Sequence, residues 1–92
     1  MGSVPAIPAP PGTFHYVYIL QSACYPSHFY MGRTEDLPSR LLRHNSGQNP
    51  HTTAFRPWLV RTAVAFRDPS RAAEFERYLK SHSGRAFAKK HF

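Results

Sequence analysis

Between positions 15 and 34 the chain reads HYVYILQSACYPSHFYMGRT, two aromatic and β-branched stretches around a turn. Neither residues 15–21 (HYVYILQ) nor residues 29–34 (FYMGRT) have the apolar spacing of a helix, and both read as strands. Cys24, Tyr25, Pro26 and Ser27 supply turn chemistry between them, which makes the pair a hairpin with a loop longer than two residues. Gly32, inside the second strand, predicts a bulge or a close approach of another group to the backbone.

The remaining elements follow from caps and periodicity. Asp36 reads as an N-cap with Pro38 in the first turn, Leu37 and Leu41 share a face, and Gly47 is a stop signal, so a helix is expected over 37–46. Residues 48–57 form a polar loop. Residues 58–66 (WLVRTAVAF) alternate, with Trp58, Val60, Thr62, Val64 and Phe66 on one face and Arg61 on the other, as in a half-buried strand. Asp68-Pro69 starts a second helix whose buried stripe is Ala72, Phe75 and Leu79 and which ends near Ser81. Ser83-Gly84 is read as a break, with a short third helix over 85–92. The order β-β-α-β-α-α predicts an α+β domain over 13–92: a small three-stranded antiparallel sheet flanked by helices. Residues 1–12 hold four prolines and read as a flexible tail.

Composition narrows the function. A chain of 92 residues buries only roughly 60% of the surface its unfolded state exposes, so the core is thin. No apolar run reaches the length of a membrane span, and no secretory signal is visible, so a membrane partner is not expected. The single cysteine, Cys24, excludes an internal disulfide and any cysteine-based zinc finger, and a reduced cytoplasmic setting is the expectation. Positions 1–32 contain no Asp, Glu, Lys or Arg, so the whole net charge of +7 falls on the rest of the chain. That density favours a polyanion, nucleic acid first. His15, His28, His51, His82 and His91 fit no zinc-ligand spacing.

Several side chains carry chemistry in this pattern, each with an ordinary alternative. Tyr18 and Tyr30 sit on neighbouring strands where their hydroxyls can converge; strand tyrosines are also common packing residues. To act on a proton, either needs its pKa brought down, as a nearby arginine and a divalent cation would do, or needs to relay a proton from water. Arg40 and His44 stack at i, i+4, where Arg40 can grip a phosphodiester or simply face solvent, and His44 can move a proton or cap the helix. Glu76 lies about 40° from Ala72 on the helical wheel, at the flank of an apolar stripe. It can pair with Lys80 or serve as a hard oxygen ligand for Mg²⁺ or Mn²⁺.

Tyr16-Val17-Tyr18 and Tyr30-Met31-Gly32 resemble the two signatures of the GIY-YIG nucleases, twelve positions separating Tyr18 from Tyr30. The stretch YMGRTEDLPSRLLRHNSG is similar to the family's small stand-alone bacterial members, with Arg40 and His44-Asn45 in register, and Glu76 in AAEFERYLKS matches the acidic metal ligand. NPHTTAFRPW, which contains His51 and Arg56, and FERYLKSHSGRAFAKKHF resemble the single-strand-specific branch more than the repair or homing branches. The resemblance covers residues 15–92. It departs at two letters of the first signature and in having no asparagine after Asn49, where Ser83 or a backbone group stands as a substitute.

The resemblance implies a metal-dependent endonuclease that hydrolyses DNA, single-stranded DNA by preference. By it, Tyr18 activates the attacking water directly or through a relay, Tyr30 holds that water, His44 takes up the proton, Arg40 neutralises the phosphoryl oxygens, and Glu76 carries the metal. Arg33, Arg43, Asn45, His51, Arg56, Lys80, Arg85 and Lys89 are the expected DNA contacts. The alternatives are a repair-type nuclease acting on branched or flapped DNA, an inactive nucleic-acid-binding module of the same fold, and a structural basic protein without either property.

Overall fold

The computed structural model describes residues 14–92, so the proline-rich segment 1–12 and Thr13 lie outside the described residues. The chain runs β1 (His15–Ser22), β2 (Phe29–Thr34), α1 (Leu37–Asn45), a single 3₁₀ turn (Thr53–Phe55), β3 (Trp58–Phe66), α2 (Pro69–Lys80) and α3 (His82–His91). The sheet is antiparallel with β1 in the middle, in the order β2-β1-β3. This is the α+β domain that the element order predicts.

The helix starts form as their sequences dictate. Asp36 Oδ1 accepts the Ser39 amide at 3.1 Å, and Asp68 Oδ1 accepts the Ser70 amide at 2.9 Å, each ahead of a proline in the first turn. These bonds satisfy N–H groups that a helix N-terminus otherwise leaves unpaired. Hydrogen bonds from Ser70 also hold the Asp68 carboxyl below the usual range.

Two local expectations change. Ser83-Gly84 does not break the chain into a late helix, because Ser81 caps α3 by accepting the Gly84 amide at 3.1 Å and the helix starts at His82. Glycine is needed at position 84 because the first turn of α3 lies directly against the Tyr78 carbonyl, where a Cβ has no room. The second change is in β3. Ile19 pairs with Thr62 but Leu20 pairs with Val60, so Arg61 is an extra residue in a bulge. A bulge shifts the alternation by one position. Trp58 therefore packs with Tyr18 and Leu20, while Phe66 packs on the opposite face with Val17 and Ile19.

The sheet thus has two unlike cores. On one face Val17, Ile19, Ala72 and Leu79 are buried together, with Met31, Phe75 and Phe87 against them, beneath α2 and α3. On the other, Tyr18, Leu20 and Trp58 are buried, with Tyr30, Leu37, Leu41 and Phe55 against them, beneath α1 and the loop that follows it.

Candidate active site

The α1 face contains the buried polar groups. Tyr18, at the centre of β1, is 1% exposed, and His44, in the last turn of α1, is 0% exposed. The buried Thr52 lies in the loop after α1. Tyr18 Oη is 3.2 Å from His44 Nε2, and His44 Nδ1 is 2.9 Å from Thr52 Oγ1. The Thr52 hydroxyl donates to the Asn49 carbonyl at 3.4 Å. Its oxygen is then the acceptor for His44 Nδ1–H, which leaves the Nε2 lone pair to accept from the Tyr18 hydroxyl. The chain of donors is therefore Tyr18 to His44 to Thr52 to the Asn49 carbonyl.

Electrostatics agree with that direction. Burial pushes the Tyr18 phenol up to about 12, with Tyr30 and Glu76 adding to the shift and Arg40 opposing it. Arg40 lowers this pKa, as expected of a nearby arginine, but desolvation of the phenolate is the larger effect and the net shift is upward. Burial also lowers the His44 pKa, as do the charges of Arg40 and Arg43. A protonated tyrosine faces a neutral imidazole.

Gly32 makes this geometry possible. A Cβ there would fall 2.5 Å from Tyr18 Oη and 3.1 Å from Tyr30 Cε2, so the tyrosine lies directly over the backbone of the edge strand β2. Of the two readings of this glycine, close approach is the correct one; the β1–β2 register runs without a shift. Tyr30 is half-buried beside the pair, its ring centroid 4.7 Å from that of His44 and 6.3 Å from that of Tyr18.

Glu76 reaches the edge of β2 from α2. Its side chain is 20% exposed, 3.3 Å from Arg33 Nε and 3.2 Å from Lys80 Nζ. Tyr18, Tyr30, Arg40, His44 and Glu76 are therefore one neighbourhood, since Tyr18 feels the charge of Tyr30, Arg40 and Glu76 and bonds to His44.

The expected DNA contacts divide. Arg33 and Lys80 are engaged with Glu76, and Arg33 also reaches the Pro69 carbonyl at 3.5 Å. Asn45 is engaged within the fold: its side chain donates to the Trp58 carbonyl at 3.0 Å and accepts the Trp58 amide, so it ties α1 to β3. Arg43 lines a polar cavity of about 290 Å³ with Arg40 and His44. His51 and Arg56 are exposed in the following loop, where the Arg56 guanidinium covers Gly47. Arg85 and Lys89 lie on α3 beside a separate cavity. Ser83 is exposed in the first turn of α3. Sequence reasoning missed Thr52, because nothing in a polar loop marks which hydroxyl will turn inward to a histidine.

A model of the GIY-YIG catalytic domain matches residues 14–90. The chain belongs to the GIY-YIG family. Among curated proteins it is similar to the structure-specific endonuclease subunit SLX1 of Scheffersomyces stipitis, 39% identical over 72 residues, which is 70% of this chain and 21% of that protein. It is also similar to the subunit of the same name from Meyerozyma guilliermondii, 39% identical over 74 residues, covering 73% of this chain and 25% of that one. The chain thus spans between a fifth and a quarter of the length of these relatives. The GIY-YIG match contains all five residues of the neighbourhood around Tyr18.

The donor set can be tested against a divalent cation. Among the described residues no group of three His, Cys, Asp or Glu converges. Glu76 is the carboxylate of this neighbourhood; Arg33 and Lys80 now neutralise it, and a cation bound there would take their place. These residues fit Mg²⁺ or Mn²⁺ that keeps most of its waters, and not a caged zinc or calcium ion.

Proposed function

We propose that this GIY-YIG domain is a divalent-metal-dependent endonuclease that hydrolyses DNA phosphodiester bonds, with single-stranded DNA as the preferred substrate. The observation that carries the reading is the buried, hydrogen-bonded Tyr18–His44 pair, with Arg40 and Glu76 near enough for their charges to act on the Tyr18 phenol. A neutral histidine held by Thr52 and aimed at a tyrosine hydroxyl is a proton acceptor with a fixed tautomer.

The burial of Tyr18 supports the relay over direct attack. Water is held at the half-buried Tyr30, and its proton moves inward to Tyr18 Oη as the tyrosine proton passes to His44 Nε2. A phenol at about 12 is not ionised beforehand at neutral pH, so the two transfers are coupled. Thr52 keeps the imidazole oriented and takes part of the charge that develops on it. Arg40 neutralises the phosphoryl oxygens as negative charge builds on them. Glu76 is the residue that would hold the cation, which when bound supplies charge stabilisation at the leaving 3′ oxygen. The water oxygen bonds to phosphorus as the P–O3′ bond breaks, and the departing 3′ oxygen takes a proton from solvent, which gives 5′-phosphate and 3′-hydroxyl ends.

Branched or flapped DNA is the second reading, favoured by the relatives named as structure-specific endonuclease subunits. The test is incubation with end-labelled single-stranded, duplex and flapped oligonucleotides in Mg²⁺, Mn²⁺ or EDTA, beside the Glu76→Ala variant. Metal-dependent cutting lost in that variant is expected, with the single strand cut fastest. Flap cutting in preference moves the substrate to the second reading. Cutting that persists in EDTA and in Glu76→Ala overturns the metal assignment.

A further inference from the structure

On the α2/α3 side of the sheet a cavity of about 610 Å³ opens between the end of the β1–β2 hairpin and the last turns of α3. Its floor is apolar, made by Ile19, Met31, Ala88 and Phe92. Its rim is cationic, made by Arg61, Arg85 and Lys89, and among the described residues no Asp or Glu lines it. Phe29 stands at the mouth, 48% exposed, with the Arg61 guanidinium carbon 5.6 Å from its ring centroid. Arg61 is held there by a hydrogen bond to Gln21 Oε1 at 3.0 Å. Arg85 bonds to the Lys80 carbonyl at 3.2 Å, and Lys89 forms no ion pair among the described residues.

Charge and shape together select the occupant. An apolar floor, an exposed aromatic ring and three cations match a flat base flanked by phosphates, the combination used by single-strand binding grooves. A base inside a duplex is stacked on both sides and cannot reach such a floor. The cavity is also placed to matter. Met31 and Arg33 are two residues apart on one face of β2, about 7 Å along the strand, and Arg33 is the partner of Glu76.

We propose that this cavity receives one unpaired nucleotide of the DNA strand, its base on the apolar floor against Phe29 and its flanking phosphates on Arg61, Arg85 and Lys89. The inference rests on the nuclease reading above for the identity of the strand, and makes single-strand selectivity a property of this cavity.

Fluorescence anisotropy with a labelled oligothymidylate, the same strand made abasic, and a duplex of equal length tests it. Phe29→Ala should weaken binding of the intact strand roughly ten-fold or more, with duplex binding almost unchanged and folding checked by circular dichroism. The abasic strand should bind the wild-type protein weakly and be insensitive to Phe29→Ala. Lys89→Ala should lower the slope of log affinity against log salt by about 0.7. Equal weakening of strand and duplex by Phe29→Ala, or an abasic strand bound as tightly as the intact one, overturns the cavity assignment. Cleavage assayed on the same strand separates the two claims. A wild-type protein that cuts while Phe29→Ala binds normally removes the cavity and keeps the nuclease. A protein that shows these binding dependences but cuts nothing keeps the cavity and removes the nuclease.

Discussion

The two faces of the sheet are built on different terms. Under α2 and α3 the buried residues are Val17, Ile19, Ala72 and Leu79, which have no directional requirement. Under α1 the buried set includes Tyr18, His44 and Thr52, and every buried side-chain polar atom among the described residues has a partner. An apolar face stabilises by area and packing, and tolerates exchange of similar shapes. A polar face stabilises only while its bonds are complete, because an orphaned buried donor costs about 1–3 kcal/mol. The two buried layers therefore make different demands, and substitutions inside them should separate stability from activity, although Glu76 and the nucleotide cavity lie at the rim of the apolar side.

The largest contrast is expected from Arg40→Ala. If Arg40 meets the developing phosphoryl charge as proposed, its loss should reduce cutting by about 10²–10³-fold, with the thermal transition little changed because Arg40 is only half-buried. Single-turnover cleavage beside a melting curve measures both. Leu79→Ala should do the reverse: about 2–5 kcal/mol of stability lost to transfer and cavity terms, with unchanged cleavage per folded molecule. If Leu79→Ala loses activity while fully folded, the division between the faces is wrong.

His44→Ala tests the border between them. It leaves the Tyr18 and Thr52 hydroxyls without their shared partner and opens a cavity, so it should cost about 2–4 kcal/mol as well as activity. Gly32→Ala is a finer probe, since its Cβ meets the Tyr18 hydroxyl. It should destabilise by about 1–3 kcal/mol and reduce cutting by displacing Tyr18 from His44.

The smallest effect expected is in pH dependence. His44 binds a proton less readily when folded than the ordinary value of 6.5 implies. The unfolded chain takes up more protons below that value, so stability should fall as pH is lowered from about 6.5 towards the folded pKa. Tyr18 acts at the other end: with the folded pKa raised from 10.0 to about 12, its contribution is whole below 10 and is lost as pH rises from there towards 12. Chemical denaturation across pH should show both limbs, and a His44→Gln variant should lose only the acid one.

Much of this was legible along the chain. Asp36-Leu37-Pro38 and Asp68-Pro69 marked helix starts because capping is a local bond between neighbours, and both caps form. Gly32 marked either a bulge or a close approach, and the unbroken β1–β2 register decides for the second. Glu76 stood out because a carboxylate beside Ala72 and Phe75 needs a partner, although Arg33 as that partner was not legible.

Other features have no local signature. The bulge at Arg61 arises from how β3 meets β1, and no pattern within WLVRTAVAF shows that its alternation reverses. Yet it sends Trp58 to one core and Phe66 to the other, and brings Arg61 over Phe29. Asn45 read as a DNA contact, whereas both ends of its amide bond to a strand thirteen residues away. The fate of a polar side chain depends on which backbone groups the packed fold leaves unpaired.

By itself the sequence determined the order of elements, the caps of the first two helices and the hairpin turn, because each depends on neighbours within a turn or two of chain. Only the tertiary structure decided protonation and company: that Tyr18 keeps its proton and gives it toward His44, that Thr52 orients the imidazole, and that Arg33 stands against Glu76. Burial and long-range charge set those outcomes, and both exist only once the strands and helices have closed around the side chains.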